Sequence, residues 1–429
     1  MRRTWFRWIP LLFLTVGMTA STFAQQAIEI EHYLNPGHGS AVQQATEEIA
    51  ALFNILQDEI VVRVNVASGG DFEELIMVRT AGGVPPDVLT SNSWGELVGL
   101  LRDLNPYVDR DGIRENFVPA ALEHGTFNGQ LLQLPHVIQP LSTYYDEQLF
   151  DEAGVENPFE LSRQGRWTWP MIREVAVKIA RDSDGDGVLD VWGVNLSAMA
   201  MGRTSLFIYQ GGGSYFDRHS LPTESRFLSS ENERTLEFLH DLVHVARVIP
   251  VEGITSWSGY GRFTTQGGVG VIFEGPWIMG QLRQGGRTTW DVAPVPDGPA
   301  NSLTTAHTDG FQILNAAPHP DASWKWIRFL TTDERAVRIF TEATGRPSAY
   351  IPHLPVYTQT AVKDGRPVNI QVVVEALLQG GPPTSPMSPY TAELSSAFSR
   401  EITAYLSGRK GLVPMMETLH HEWNTILNR

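Results

Sequence analysis

The chain contains no cysteine. That excludes disulfide bonds, thiolate metal sites and cysteine nucleophiles, along with the lipidated cysteine that would tether an exported protein to a membrane. Positive charge is scarce: 32 Lys and Arg against 48 Asp and Glu give a net charge of −16. Such a surface repels nucleic acid and anionic lipid, so neither is expected as a partner. Long apolar runs are missing except near the N-terminus, where Arg2, Arg3 and Arg7 flank or precede an apolar core from Trp8 to Thr19. Thr22-Phe23-Ala24 offers a cleavage site before Gln25. About a dozen apolar residues fall short of the roughly 20 that span a bilayer, so residues 1–24 read as a cleavable export signal and not as a membrane anchor. Without its three arginines the mature chain keeps 29 basic and 48 acidic residues, net −19. A freely diffusing periplasmic monomer is the expectation. Neither a Gly-x-Ser-x-Gly elbow nor a phosphate-cradling Gly-Lys-Ser/Thr loop occurs, so serine-hydrolase and nucleotide-binding readings gain no support.

What the chain does contain is an ordinary globular composition, 42% hydrophobic and 19% charged over 429 residues. That length exceeds one hydrophobic core of usual size and predicts two lobes. Ala27 to Leu34 reads as a strand, ending in the loop Asn35-Pro36-Gly37-His38-Gly39. Ser40 and Gln43 then offer a capping box for a helix whose apolar stripe is Val42, Ala45, Ile49, Leu52, Phe53 and Leu56. The β-branched run Ile60 to Val66, a short helix over Asp71 to Ala81 and a strand at Pro86 to Leu89 follow. This βαβα order predicts an α/β fold with a parallel sheet, whose ligands bind beyond the carboxyl ends of the strands. Further helices are predicted at Met171 to Arg181, Glu231 to Arg247, Ala322 to Leu330, Glu334 to Thr344 and Leu412 to Leu427, with a Pro- and Gly-rich loop at Gly380 to Pro389.

Several segments recur in a recognisable order. They are Ala81-Gly82-Gly83-Val84-Pro85-Pro86-Asp87-Val88, the stretch Gly125 to Pro135, and Tyr144-Tyr145-Asp146-Glu147-Gln148-Leu149-Phe150-Asp151-Glu152-Ala153-Gly154 followed by Thr168-Trp169. Then come Tyr209-Gln210-Gly211-Gly212-Gly213, Phe263 to Gly270, Gly275-Pro276-Trp277, Ala293 to Gly298, the helix Ala322 to Leu330 and the Gly345-Arg346-Pro347 turn. This ordered set resembles the bacterial extracellular solute-binding proteins of family 1, the group that contains the maltose-binding proteins. Asp146 stands where the family usually has Asn. The resemblance implies two α/β lobes joined by a hinge in a periplasmic-binding-protein fold, a ligand cleft between them, and no catalysis. It also implies chain crossings near Leu134 to Gln139, Asp291 to Pro294 and Thr344 to Ser348. The N-terminal lobe would then hold residues 25–137 and 292–343, and the C-terminal lobe residues 138–291 and 344–429. The partners it implies are a carbohydrate ligand and the membrane subunits of an ABC transporter.

A sugar has apolar ring faces and a rim of hydroxyls, so its site needs aromatic platforms and planar polar groups. Trp277 is the leading candidate, because the resemblance places it where family members stack a Trp on the sugar. Glu274, three residues earlier at a strand end, could accept two hydroxyl hydrogens. Asp309 and Phe311 could face the cleft from the other lobe. Tyr33, Asn35, His38, Asn92 and Trp94 lie on or beside the two predicted strand-end loops, and Arg346 offers a planar fork of donors near the third crossing.

Asp182, Asp184, Asp186 and Asp190 occupy positions one, three, five and nine of a loop with Gly187 at position six, and Val188 would offer its carbonyl at position seven. That arrangement wraps oxygens around Ca²⁺. Position twelve is Gly193 where a bidentate Glu is expected, so one strong ligand must come from elsewhere or affinity falls; the family resemblance implies that an ion here would clamp the loop and not serve catalysis. His240 and His244 have zinc-ligand spacing on a helix, but they flank a core stripe and lack a metalloprotease Glu. Two rival readings remain: a secreted glycoside hydrolase using Glu274 and Asp309, which would have to flank the scissile bond at roughly 5 to 9.5 Å, and the same fold binding a glycerol-phosphate-type ligand.

Overall fold

The structure, a computed structural model, describes residues 27–67, 71–91 and 94–429. The export signal expected over residues 1–24 lies outside them.

Two sheets organise the chain. The first runs in the order Ile60–Val66, Ile28–Leu34, Val88–Thr90, Ala306–Ile313, Leu134–Pro140. Its first three strands are parallel, with His32 opposite Val88 and Leu34 opposite Thr90, and Ala306–Ile313 joins antiparallel to both of its neighbours. The second sheet runs Trp290–Ala293, Ser142–Asp146, Val269–Glu274, Trp192–Asn195, of which only the last pair is parallel. This is the mixed α/β, two-lobed architecture expected from the sequence. Among the described residues no helix is long and apolar enough to cross a membrane.

The local rules behave as their chemistry demands, with one exception. Asp71 accepts from the amides of Glu73 and Glu74 and opens the helix Phe72–Ala81. Val42, Ala45, Ile49 and Phe53 of the helix Ser40–Leu56 are buried, as the stripe predicted. The capping box at Ser40 does not form. The cap is Gly39 at φ 87°, a conformation open to glycine, and Gln43 reaches forward to Glu47 instead. The helices Met201–Gln210 and Thr391–Leu406 were not among those predicted.

Two connections between the sheets lie side by side. Leu141 alone links Leu134–Pro140 to Ser142–Asp146, and residues 294–305 link Trp290–Ala293 to Ala306–Ile313. The two are laced together: Leu141 N–H donates to Thr305 O at 2.8 Å, Thr304 Oγ1 to Leu141 O at 2.7 Å, and Thr143 Oγ1 to Pro294 O at 2.7 Å. Past Thr344 the chain remains with the first sheet further than the family path implies. Ser348 bridges Val137, Tyr350 bridges Phe117, and Gln371–Gln379 packs on Leu134–Pro140 as well as on the second sheet. Helices Thr391–Leu406 and Leu412–Leu427 then join the second lobe, where Trp423, Phe398, Phe227 and Tyr215 form an aromatic core.

Candidate functional site

A cavity of about 580 Å³ opens between the lobes, walled by the loop Gly37–Ser40 and Arg346 on one side and by Arg203 and Trp277 on the other. Each side brings one buried carboxylate paired with an arginine.

On the second-lobe side, Glu274 ends the strand Val269–Glu274 and is 0% exposed. Arg203, on the helix Met201–Gln210, meets it with both arms of its fork: Nε lies 3.0 Å from Oε1 and Nη2 2.8 Å from Oε2. Oε2 also accepts the Trp277 indole N–H at 2.9 Å. The Arg203 guanidinium sits 4.8 Å from the Trp277 ring centroid and 5.4 Å from that of Trp257. It is thus held between two indoles by cation–π attraction. Gly275 permits this: a Cβ there would lie 2.1 Å from Trp277 Cζ3.

On the first-lobe side, Asp309 accepts from Gln139 Nε2 at 3.0 Å and from Arg346 Nη1 at 3.2 Å, and lies 2.9 Å from His307 Nε2. His38 Nδ1 stands 3.8 Å away. Burial opposes its charge, yet His307, His38 and Arg346 together hold its carboxyl well below the usual carboxylate range. The same burial drops the His38 imidazole to about 4, against the pull of Asp309, and lowers Arg346. Arg346 also donates to the His38 carbonyl at 3.2 Å, so it ties the loop after the first strand to the strand Ala306–Ile313.

Among the described residues, three buried polar atoms on these walls have no partner: His38 Nε2, Gln139 Oε1 and Arg346 Nε. Unmet hydrogen-bonding capacity of this kind inside a cavity is costly unless water or a ligand supplies it.

The predicted residues divide accordingly. His38, Trp277, Asp309 and Arg346 wall the cavity, and Glu274 supports it from behind. Trp94, 2% exposed, walls a neighbouring cavity. Asn35 spends its side-chain oxygen on the amide of Gly37, and Tyr33 carries the Arg79 guanidinium at 4.8 Å. Asn92 lies outside the described residues. Phe311 does not face the cleft. A bulge between Asp309 and Gly310 resets the strand, and Phe311 packs in the core on His32 and His136. Sequence reasoning missed Arg203, Trp257 and Gln139, since Arg203 lies 71 residues from Glu274 and Gln139 lies 170 from Asp309. His307, two residues before Asp309 on the same strand, lies 6.3 Å edge-on from Trp277.

Away from the cleft, the Asp182 to Asp190 loop brings carboxylate oxygens of Asp182, Asp184 and Asp190 within 4.8 Å of one another. Asp182 accepts from the amides of Gly185 and Gly187, which lowers its carboxyl, while Asp186 turns back onto the amide of Val188. The donor set is all oxygen and suits a hard cation. Gly193 backs onto the helix Trp169–Ile179, where a Cβ would lie 2.2 Å from Ala176 O, so no glutamate fits at position twelve. His244 Nε2 lies 2.8 Å from Leu406 O and its ring centroid 4.3 Å from that of His240, a packing arrangement on the second lobe.

Two sheets with a ligand-sized cleft between them define a two-lobed binding protein. Residues 36–336 match the family described as bacterial extracellular solute-binding protein, and the chain belongs to that family. A putative binding protein of Brucella abortus is 21% identical over 315 residues, 72% of this chain and 71% of that protein. Among solved structures, an ABC substrate-binding protein of Listeria monocytogenes in complex with cycloalternan is similar at a TM-score of 0.78 and 22% identity, covering 94% of this chain and 99% of that one. The maltose-bound MalE3 of T. maritima is similar at 0.75 and 20%, covering 93% and 100%.

Proposed function

We propose that the protein is the exported, periplasmic substrate-binding component of an ABC importer, and that it captures an uncharged sugar, oligosaccharide or polyol by closing its lobes. The observation that carries this reading is the pair of pre-neutralised arginines, Arg203 on Glu274 and Arg346 on Asp309, facing one cavity from opposite lobes. Each arginine has a carboxylate partner, so little uncompensated positive charge is left for a phosphate. Planar donors, orphaned polar atoms and the Trp277 indole are what a hydroxyl-rich ring uses. The cycloalternan and maltose ligands of the similar proteins point the same way. A hydrolytic role gains no support, because both carboxylates it would use are already engaged, Glu274 by Arg203 and Trp277 and Asp309 by Gln139, Arg346 and His307. The Asp182 to Asp190 loop supports a structural Ca²⁺ that clamps the connection from Trp169–Ile179 to Trp192–Asn195. Removal of residues 1–24 as a signal, and function as a monomer without a lipid anchor, belong to the same proposal.

The test is thermal unfolding of the mature protein against mono-, di- and trisaccharides, polyols and glycerol phosphates. A ligand at 100 times its Kd should add roughly 2.7 kcal/mol. A neutral saccharide recovered unchanged supports binding; a consumed one supports hydrolysis; a hit confined to glycerol phosphates would sink the neutral-ligand reading.

A further inference from the structure

A second cavity, of about 410 Å³, lies across His307 from the first. His307 walls both; its Nε2 is 2.9 Å from Asp309 in the first, and its Nδ1 is 3.4 Å from Thr384 Oγ1 in the second. The second cavity takes Trp94 and Thr308 from the first lobe, and His219, Pro386 and Met387 from the opposing side. The amide of Met387 donates to His219 O at 2.8 Å, so that opposing wall is one unit. Lobe closure would therefore shape both cavities together.

The two differ in chemistry. The first has two arginines, the buried Asp309 carboxylate with Glu274 behind its wall and, among the described residues, three partnerless polar atoms. The lining of the second is mainly apolar, with an indole, proline rings and a thioether, and several of its polar neighbours are already occupied, although Glu123, Ser220 and Ser385 also border it. His124 uses one ring nitrogen on Thr308 Oγ1 at 2.8 Å and the other on Gly381 O at 3.0 Å. Thr126 Oγ1 donates to Leu122 O, and Arg218 Nε to Leu221 O. Among the described residues, no wall residue of the second cavity has a buried side-chain nitrogen or oxygen without a partner. Hydroxyls placed there would surrender bonds to water and find few replacements, whereas an apolar group would bury its surface at no such cost.

We infer that the ligand is amphiphilic: a glycoside whose sugar occupies the cavity of Arg203, Arg346 and Trp277, and whose aryl or short alkyl aglycone crosses His307 into the cavity of Trp94 and Met387. This rests on the carbohydrate reading above and narrows it. His307 is then a specificity residue at the junction, with one ring nitrogen toward each compartment.

The experiment measures Kd by calorimetry for methyl and phenyl glycosides of matched hexoses, with phenol alone as a third probe. The phenyl glycoside should bind roughly tenfold or more tightly than its methyl counterpart. The ratio should collapse toward one in Met387→Glu and survive in Met387→Leu, and Thr126→Trp, which fills the same cavity from the other lobe, should also collapse it. Equal affinities of methyl and phenyl glycosides would overturn the inference and leave the carbohydrate reading intact. Binding of phenol with no glycoside of either kind would sink the carbohydrate reading instead, and silence from all three probes would sink both.

Discussion

The Trp277 indole N–H and Glu274 Oε2 are 2.9 Å apart, across a carboxylate that is itself wholly buried and gripped by Arg203. The acid is the post to which the cleft's tryptophan and arginine are both fixed. Glu274→Gln keeps the shape but leaves Arg203 without its counter-charge. Losing one member of such a pair costs on the order of 3 kcal/mol of stability, and the slackened Trp277 should weaken ligand affinity roughly tenfold. Chemical denaturation and calorimetry measure the two effects separately.

Arg346→Lys tests the other wall. A single ammonium cannot span both Asp309 and the His38 carbonyl as the guanidinium does. Ligand affinity should fall by roughly tenfold or more, the value of one or two charge-assisted hydrogen bonds. An unchanged Kd would remove Arg346 from the site.

Acid should destabilise the protein through histidines before carboxylates. Burial lowers His32 and His136 to about 3 and His38 and His124 to about 4, from an ordinary 6.5. The unfolded chain therefore binds protons that the native state refuses, and stability falls as pH drops from about 6.5 toward 4. For His38 and His124 the loss is on the order of 3 kcal/mol each over that window. Asp309, held low, adds its own loss only below the ordinary carboxylate range. Calorimetry from pH 7.5 to 4 should show a steep fall in Tm below pH 6. His136→Phe, which fits between Phe311 and Phe340, should flatten it.

Calcium at millimolar concentration should raise Tm by a few degrees, reversibly with a chelator, and Asp184→Ala should abolish the shift. Gly193→Glu, which completes the motif on paper, should instead cost about 3 kcal/mol or more. Its Cβ would enter the backbone of Ala176 at 2.2 Å. A folded Gly193→Glu protein with tighter calcium binding would refute this account of position twelve.

Local chemistry was legible in the sequence: the apolar stripe of Ser40–Leu56, the short helix ending at Ala81, the spacing of Asp182, Asp184 and Asp190, and the ordered segments that carry the family resemblance. Those features depend on neighbours within a few residues or on a linear order, which a sequence records directly. The partners of the site did not have that property. Arg203 reaches Glu274, Gln139 reaches Asp309 and Arg346 reaches His38 only because two sheets and their crossings bring distant segments together. A one-residue bulge at Asp309 then sent Phe311 into the core, although the sequence had offered both as cleft residues. Which residues come into contact across a cleft is settled by packing and register, so the tertiary structure decided the site whose residue types the sequence had supplied.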